Sequence, residues 1–362
     1  MPGFLTASLA PRIRGDFAFG DSALGISIAL FYVVSAVGST PAGRLVDRVG
    51  ARRGTALVAA FTGICCMAIA LLAQSATSLT ALLLLGGVGN ALGSPTVSTL
   101  LKQEVAVHRQ GLAFGAQQSG ASLGALLAGL ALPSVAIPFG WRWAFVVAAV
   151  LTLAAAAFAP RAPAPSAATA AARRPRGLTS VHALGLAAVL ASAAGVGFVS
   201  FLVTYAVDSG MSEGAAGLLL GGVSLMATLS RIGVGLFADR AGQEPLRPVA
   251  AMLAASVVGY LLLIAGEPAV IALAAVLAGA LGWAWPGGLN LAVVQRSPDA
   301  PAWAVGVLMT GLFTGAVGGP LIVGLLAEHE LFTAAWITCA ALALLAAATL
   351  VATRRWERRR RL

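Results

Sequence analysis

The chain has 362 residues, of which 59% are hydrophobic and only 10% are charged, and its formal net charge is +10. A soluble globular domain normally carries about 25% charged residues. This composition therefore excludes a soluble enzyme, a disordered chain and a secreted disulfide scaffold. The 43 glycines agree with that conclusion, because glycine is more frequent in membrane helices than in soluble ones. The chain is predicted to be a polytopic membrane protein.

Eleven apolar stretches are long enough to cross a bilayer, since a helical span needs about 20 residues. They cover 22–42, 55–74, 79–101, 111–136, 142–160, 180–206, 214–236, 249–266, 269–294, 304–327 and 333–352. The low-complexity segment 161–178, rich in Pro and Ala and then in Arg, is predicted to be a linker between two halves. We therefore expect an N-terminal bundle over 1–160, a C-terminal bundle over 179–353 and a basic tail over 354–362.

The segment before the first of these stretches is unusual. Phe4 to Ala10 is apolar and ends at Pro11, but ten helical residues cover only about 15 Å of a hydrocarbon core about 30 Å thick. We expect this segment to be the outer half of an incomplete first helix, with about ten to fifteen further apolar residues encoded upstream of Met1. The alternative is a short interfacial segment on the outer face.

The basic residues predict the orientation, because Lys and Arg are concentrated in cytoplasmic loops. Of the 23 Lys and Arg, 19 fall in alternate loops that include 43–54, the linker and the C-terminus. Three fall on the opposite side, at Arg12, Arg14 and Arg142, and Arg231 is placed near the end of a span. The 43–54 loop, the linker and the C-terminus are thus predicted to face the cytoplasm. The excess of Arg over Lys favours a bacterial source and hence a bacterial cytoplasmic membrane.

The chain contains an internal repeat. The pattern G-x-x-x-D-R-x-G occurs at 43–50 and again at 235–242, an offset of 192 residues. Glycines at 111, 120, 124 and 129 recur 195 residues later, and glycines at 86 and 89 recur 193 residues later. Because both G-x-x-x-D-R-x-G copies are expected on the cytoplasmic side, the two halves run in the same direction. This indicates a duplicated six-helix unit.

The segment Gly43 to Arg53, G-R-L-V-D-R-V-G-A-R-R, resembles the cytoplasmic signature of the major facilitator superfamily. The stretches 140–145 (G-W-R-W-A-F) and 282–286 resemble its cyanate-permease-like branch. The resemblance, which covers about 20–355, implies an all-α polytopic membrane protein of two pseudo-symmetric six-helix bundles, here with a truncated first helix. One departure is that 82–85, in the fourth helix, lacks the Arg of many members, which argues against Arg-based proton coupling.

The resemblance also implies a gate at the two D-R motifs. The Asp of the first motif is expected to meet the start of helix 11 near Val305 while the cytoplasmic side is closed. By pseudo-symmetry the Asp of the second motif should meet helix 5 near Gly111. The alternative is that Asp47 pairs with a neighbouring Arg as a solvated loop charge. The residues of this gating motif are Gly43, Asp47, Arg48, Gly50, Arg52, Arg53, Gly235, Asp239, Arg240 and Gly242.

Charged side chains are scarce at membrane depth in this sequence. Every Asp and Glu falls in or beside a predicted loop, so the usual carboxylate for proton coupling is missing and transport should depend only weakly on pH. A cavity must then be built from uncharged polar and aromatic groups, which suit a small polar or anionic solute. With the incomplete N-terminal segment counted as helix 1, these groups lie on helices 4 (79–101), 5 (111–136), 7 (180–206) and 10 (269–294). The expected pocket residues are Asn90, Ser94, Gln117, Gln118, Phe198, Tyr205, Trp283, Trp285 and Asn290.

Each of these groups has a packing alternative. Membrane Asn and Gln often serve as interhelical hydrogen-bond partners, worth about 0.6 kcal/mol. The aromatic stripe of Phe198, Phe201 and Tyr205 has the spacing of a core face. The glycines of helices 5 and 11 are expected to allow close helix packing that slides during a transport cycle, rather than to touch a solute.

A secondary transporter that works by alternating access is the function these features favour. The alternative, a polytopic membrane enzyme such as a lipid-linked transferase, would need a cluster of acidic, basic or metal-binding residues, and the sequence shows none. A sensor built on a transporter scaffold would need a signalling domain, and no stretch of this sequence is long enough to be a separate soluble domain. We expect a monomer whose partners are a small-molecule solute and the lipid bilayer, with no nucleic acid, cofactor or metal.

Overall fold

The computed structural model describes residues 1–17, 20–49, 51–104, 110–157, 178–241, 246–297 and 301–361. Within these ranges every regular element is a helix. The α-helices are α1 Pro2–Ser8, α2 Ala10–Asp16, α3 Asp21–Val49, α4 Ala51–Leu72, α5 Ala76–Glu104, α6 Gln110–Ala131, α7 Ile137–Phe139, α8 Trp141–Ala157, α9 Leu178–Asp208, α10 Glu213–Ala241, α11 Leu246–Leu262, α12 Pro268–Gly282, α13 Trp285–Arg296, α14 Pro301–Glu328 and α15 Phe332–Arg361.

The predicted all-α polytopic fold is confirmed. The described residues contain ten helical spans long and apolar enough to cross a membrane, one of them formed by α12 and α13 together, and a shorter apolar helix over Trp141–Ala155. Large apolar side chains point outward along them, for example Ile64, Leu71 and Leu218, each more than half exposed. An outward apolar surface of this extent is suited to lipid rather than water. The basic residues predicted as a tail continue α15 to Arg361.

The two ends of the helical body differ in charge. At one end, which we name the acidic end, Asp16, Asp21, Glu213 and Glu328 lie among interacting helix termini. At the other, the basic end, Arg296 at the end of α13 pairs with Glu357 of α15. The sequence predicts that the basic end faces the cytoplasm.

The helices form two halves, α1–α8 and α9–α15. In the first half α5 packs on α3 and α4, and in the second α14 and α15 pack on α9. The most extensive contacts between the halves are those of α3 with α14 and of α6 with α10. These pairs are equivalent under the repeat found in the sequence, because α3 corresponds to α10 and α6 corresponds to α14.

The N-terminal helices α1 and α2 lie inside this body. Leu5, Leu9 and Ile13 are fully buried, and α1 contacts both α6 and α9. The hydroxyl of Ser8 donates a hydrogen bond to the carbonyl of Ala128, with an Oγ–O distance of 2.9 Å. The segment is therefore packed between helices at membrane depth, and the alternative of a surface-lying interfacial segment does not describe it.

The halves meet closely at the acidic end. The guanidinium of Arg12 on α2 pairs with the carboxylate of Glu213 on α10, and the amide of Ser22 on α3 donates to Oε2 of Glu328 on α14 at 2.9 Å. Glycines extend the contact below this layer. A Cβ atom added to Gly129 of α6 would lie 2.6 Å from the carbonyl oxygen of Gly217 on α10. The absence of side chains thus allows backbone-to-backbone contact between the halves.

This contact predicts the effect of one added methyl group. Gly129→Ala requires α6 and α10 to move apart by about 0.8 Å, from 2.6 Å to at least the 3.4 Å of an ordinary contact. We expect the variant to disfavour the state in which the acidic end is closed. The measurement is the distance distribution between spin labels at Gln74 and Glu267, exposed residues at the acidic end of the two halves.

The matched control is Gly222→Ala, since a Cβ at Gly222 of α10 meets nothing within 4 Å. We expect Gly129→Ala to add longer distances to the distribution and Gly222→Ala to leave it unchanged. Identical distributions in the two variants would show that this glycine contact does not hold the acidic end closed.

Candidate functional site

A cavity of about 470 Å³ lies between the two halves. This volume falls within the range of small-molecule binding sites, which is about 300–1,000 Å³. Both halves contribute walls, from α1, α3, α4, α5, α6 and α8 on one side and from α9, α10, α12–α13 and α14 on the other. Its polar and aromatic lining residues are Phe4, Phe31, Tyr32, Thr62, Asn90, Ser94, Gln117, Gln118, Thr152, Ser192, Arg231, Trp283, Trp285 and Phe313.

The cavity holds a buried cation. Arg231 of α10 is only 2% exposed, and its Nε donates to the carbonyl of Trp283 at 2.7 Å. Its Nη1 donates to the carbonyl of Gln118 on α6, in the opposite half. The guanidinium carbon also lies 4.8 Å from the centre of the Trp283 ring, a cation–π distance. Arg231 therefore links the two halves at the wall of the cavity.

A break between α12 and α13 supplies one of these partners. Pro286 has no N–H, so it cannot donate the helical hydrogen bond that the carbonyl four residues earlier would accept, and it is favoured in the first turn of a helix. The chain accordingly leaves helical geometry at Trp283 (φ −111°, ψ 7°) and re-enters it at Trp285. The break directs the Trp283 carbonyl to Arg231 and places both indoles at the cavity.

Six of the predicted pocket residues line this one cavity: Asn90, Ser94, Gln117, Gln118, Trp283 and Trp285. Asn90 also has a packing role, because its Nδ2 donates to Oγ of Ser35 on α3 at 3.0 Å. In contrast to the amide of Asn90, the indole N–H of Trp285 is buried and has no hydrogen-bond partner within the described part of the chain. A buried donor of this kind is available to a solute that carries an acceptor.

The other three predicted pocket residues lie elsewhere. Phe198 and Tyr205 belong to an aromatic cluster with Trp336, with ring centres 6.1 Å and 5.0 Å from it, and the Tyr205 hydroxyl donates to the carbonyl of Leu263. Asn290 is buried, and its Nδ2 donates to the carbonyl of Pro286 at 2.9 Å. These three do not line the cavity, so the packing alternative describes them, as it does the fully buried Phe201.

The sequence places Arg231 near the end of a span at 214–236. The apolar span of α10 is Glu213–Phe237, so Arg231 lies six residues, or about 9 Å, from its end. The sequence does not predict that Arg231 is buried there, with a partner in the opposite half. Its equivalent in the first half, 192 positions earlier, is Ser39. That mismatch between the repeats, eight residues before the D-R pair, is the signal that could have found it.

The gating motif lies largely outside the described residues. Gly50 and Gly242 are not described, and neither are the side chains at Gly43, Asp47, Arg48, Arg52, Asp239 and Arg240. Arg53 is exposed and Gly235 is buried. The helices expected to meet the two aspartates begin at Gln110 and Pro301.

The G-W-R-W-A-F stretch has a structural role at the acidic end. The Trp141 indole donates to Oδ2 of Asp16 at 2.8 Å, and Nη1 of Arg142 donates to the same oxygen at 3.1 Å. Nη2 of Arg142 donates to the carbonyl of Ala73 at 2.9 Å. These bonds join α2, the end of α4 and the start of α8 within the first half.

Two helical halves of one repeat, related as α3 is to α10 and closed around a central cavity, define a membrane transporter fold. A family model described as the Major Facilitator Superfamily matches residues 1–302 and 184–362. The chain belongs to this superfamily.

Individual proteins are similar over different shares of the chain. A quinolone resistance transporter of Acinetobacter baumannii is 29% identical over 141 residues, which are 37% of this chain and 32% of that protein, so the match spans about a third of the relative's length. A bacterial homologue of the human lysosomal transporter Spinster, solved in an inward-facing and occupied conformation, has a TM-score of 0.74 at 16% identity and covers 98% of this chain and 93% of its own. The human organic anion transporter MFSD10 has a TM-score of 0.70 at 19% identity, over 91% and 84%.

The aromatic cluster predicts that Tyr205 acts in stability. Tyr205→Phe removes the hydroxyl that donates to the Leu263 carbonyl, which keeps only the N–H of Gly266 at 3.3 Å, and should lower the free energy of unfolding by about 0.5–1.5 kcal/mol. The midpoint of thermal unfolding of the purified protein measures this loss. Tyr32→Phe at the cavity wall is the control, because no hydrogen bond of the Tyr32 hydroxyl occurs among the described residues. An unfolding midpoint for Tyr205→Phe equal to that of Tyr32→Phe would contradict the packing role.

Proposed function

We propose that this protein is a secondary transporter of small organic anions, with an aromatic carboxylate as the best fit to its cavity. The observation that carries the proposal is Arg231, a cation buried between the two halves at the cavity wall. Charges within membrane-spanning segments are costly and mark solute pathways. In alternating access the halves rock about such a central site.

The donors around the cavity suit a carboxylate. Arginine has five N–H groups in a planar fork, and the hydrogen bonds of Arg231 within the described residues use two of them. The remaining donors and the indole N–H of Trp285 are available to carboxylate oxygens. Trp283, Phe31 and Phe313 offer apolar surface to the rest of the solute. No Asp or Glu is among the described residues that line the cavity, so nothing there repels an anion.

Two of the similar proteins support this class of solute. One is named as an organic anion transporter and another as a quinolone resistance transporter, and quinolone antibiotics are aromatic acids. The cyanate-permease-like branch remains a prediction from the sequence. Its G-W-R-W-A-F stretch lies at the acidic end, away from Arg231, so it bears on packing there rather than on the solute.

The remaining features of the proposal come from the sequence. The basic end faces the cytoplasm of a bacterial cell, the bundles are divided at the 161–178 linker, and the D-R motifs gate the cytoplasmic side. With the acidic end closed by Arg12–Glu213 and by Gly129, the cavity belongs to an inward-facing state. The transporter acts as a monomer without nucleic acid. The enzyme alternative has no support, and the described residues contain no group of three His, Cys, Asp or Glu that could hold a metal ion.

The role of Arg231 predicts which ligands stabilise the protein. Benzoate should raise the midpoint of thermal unfolding, because a ligand that binds only the folded state stabilises it. Benzamide has nearly the same shape without the charge and should raise it much less. In Arg231→Gln the benzoate shift should disappear, since loss of one buried charge-assisted hydrogen bond costs about 1.5–3 kcal/mol.

The control is Arg358→Gln, which removes an exposed arginine at the basic end. It should keep the benzoate shift of the wild type. If benzamide and benzoate stabilise equally, or if Arg231→Gln keeps the benzoate shift, the anion site is not at Arg231. Norfloxacin, a quinolone carboxylate, extends the comparison to a larger aromatic acid.

The absence of an acid or a histidine among the described cavity residues predicts a flat pH profile. Uptake of radiolabelled benzoate into proteoliposomes, with equal pH on both sides, should vary less than about twofold between about pH 6 and 8, where only groups such as histidine normally titrate. Tyr32→Phe should give the same profile as the wild type. A steep profile that disappears in a variant of a cavity residue would contradict the prediction.

A further inference from the structure

A second cavity lies on the outer surface of the second half, on helices that do not line the solute site. It has a volume of about 760 Å³ and runs between α11 and α15 at the basic end. None of its lining residues lines the cavity that contains Arg231. We name it the α11–α15 groove; its floor is formed mainly by alanines and its mouth by arginines.

The floor of the groove is apolar and made of small side chains. On α11 it consists of Ala250, Ala251 and Ala254, and on α15 of Ala347 and Ala348, with Leu344 at the inner end. On α11, Ala250 and Ala251 lie four and three residues before Ala254, and on α15 Leu344 lies three and four residues before Ala347 and Ala348, so each set shares one face of its helix. Because alanine fills little space, the two helices leave a channel between them where larger side chains would close it.

The depth of the groove matches one leaflet of a bilayer. Leu344 and Arg355 both line it and are eleven residues apart on one continuous helix, which corresponds to about 16 Å along the axis. Half of a hydrocarbon core about 30 Å thick is about 15 Å. The channel is therefore as long as the acyl region of the leaflet at the basic end.

The mouth of the groove carries four arginines, Arg247 on α11 and Arg354, Arg355 and Arg359 on α15. None of the described residues that line it is acidic. Glu357, which neighbours the mouth in sequence, is paired with Arg296 on α13, with Nε–Oε1 and Nη2–Oε2 distances of 2.9 Å each. Trp356 also lines the mouth, and tryptophan is enriched at the membrane–water interface.

We infer that the α11–α15 groove is a binding site for an anionic phospholipid, with the acyl chains along the alanine floor and the phosphate at Arg247, Arg355 and Arg359. The arginines match the headgroup charge, and the length of the floor matches the chains. A basic pocket between membrane helices is a recognised setting for acidic headgroups. The inference is independent of the solute proposed for the central cavity.

The test measures lipid binding to the full chain by native mass spectrometry from detergent. Phosphatidylglycerol is titrated into the wild type and into Arg355→Gln/Arg359→Gln. Each arginine near an anionic lipid surface is worth about fivefold in affinity, so the double variant should bind phosphatidylglycerol about 25-fold more weakly. Phosphatidylcholine, which has no net charge, should bind the wild type weakly and should not distinguish the two proteins.

Arg358→Gln is the matched control, because Arg358 is an exposed residue of the same helical segment that does not line the groove. It should bind phosphatidylglycerol like the wild type. Ala348→Phe tests the floor separately, since it fills the channel and leaves all four arginines in place, and it should also weaken phosphatidylglycerol binding. Thermal unfolding without added lipid identifies any variant that fails to fold, in which case the other variant decides.

Three results would overturn the inference. One is equal phosphatidylglycerol binding by Arg355→Gln/Arg359→Gln and Arg358→Gln, which would mean that the mouth is not the headgroup site. Another is unchanged binding in Ala348→Phe. The third is binding of soluble glycerol 3-phosphate as tight as that of phosphatidylglycerol, which would show a site for a free phosphate without a role for the acyl chains.

Discussion

The central constraint on this structure is the burial of the Arg231 guanidinium inside a membrane protein. A charged residue at the centre of a helical span costs about 2.5–3.5 kcal/mol on insertion scales, which is an upper value for Arg231, six residues from the end of its span. Arg231 meets this cost with two hydrogen bonds to carbonyl oxygens and with the face of Trp283. Each charge-assisted bond is worth roughly 1.5–3 kcal/mol, so the two are of the size needed to offset it. The break between α12 and α13, which Pro286 favours, contributes to this, because it places the Trp283 backbone and ring beside the cation.

The position of these partners also joins the two halves. Trp283 and Arg231 belong to the second half, whereas the Gln118 carbonyl belongs to the first. The link lies at the cavity, and the tighter contacts of Gly129, Arg12 and Ser22 lie at the acidic end. Separation of the halves at the acidic end must break backbone contacts that only glycine permits. Small residues therefore allow the close contact of the halves at the acidic end, and a polar link at the cavity accompanies it.

The fold could be predicted from the sequence, because its determinants are local and repeated. Span length, loop charge and the duplicated G-x-x-x-D-R-x-G pattern are all properties of composition and spacing, and the helices appear where they predict. The pocket could be predicted only in part. Trp283 and Trp285 are found because they lie beside Pro286, a visible helix breaker. The sequence predicts Phe198 and Tyr205 in the pocket because their helix, α9, borders it. Their side chains instead pack against Trp336, a partner about 130 residues away that no local pattern reveals.

Arg231 shows why a charge near a predicted span end is hard to place. The apolar span of α10 ends at Phe237, six residues or about 9 Å beyond Arg231, so hydropathy alone places this residue near the interface, yet it is only 2% exposed. Hydropathy measures the apolar surface that a segment offers to lipid. It does not report whether one polar group faces the interior of the bundle, where carbonyl oxygens and an aromatic ring replace water.

For a transporter that uses such a site, the link from Arg231 to Gln118 has a consequence for energy coupling. A solute can shift a conformational equilibrium only by the difference between its affinities for the two states. Under the proposed function, a carboxylate bound through the other N–H groups of Arg231 shares the guanidinium with the Gln118 carbonyl. Its negative charge competes with that carbonyl, so the bond between the halves would be weaker when the cavity is occupied. Occupancy of the cavity would then favour release of the acidic end.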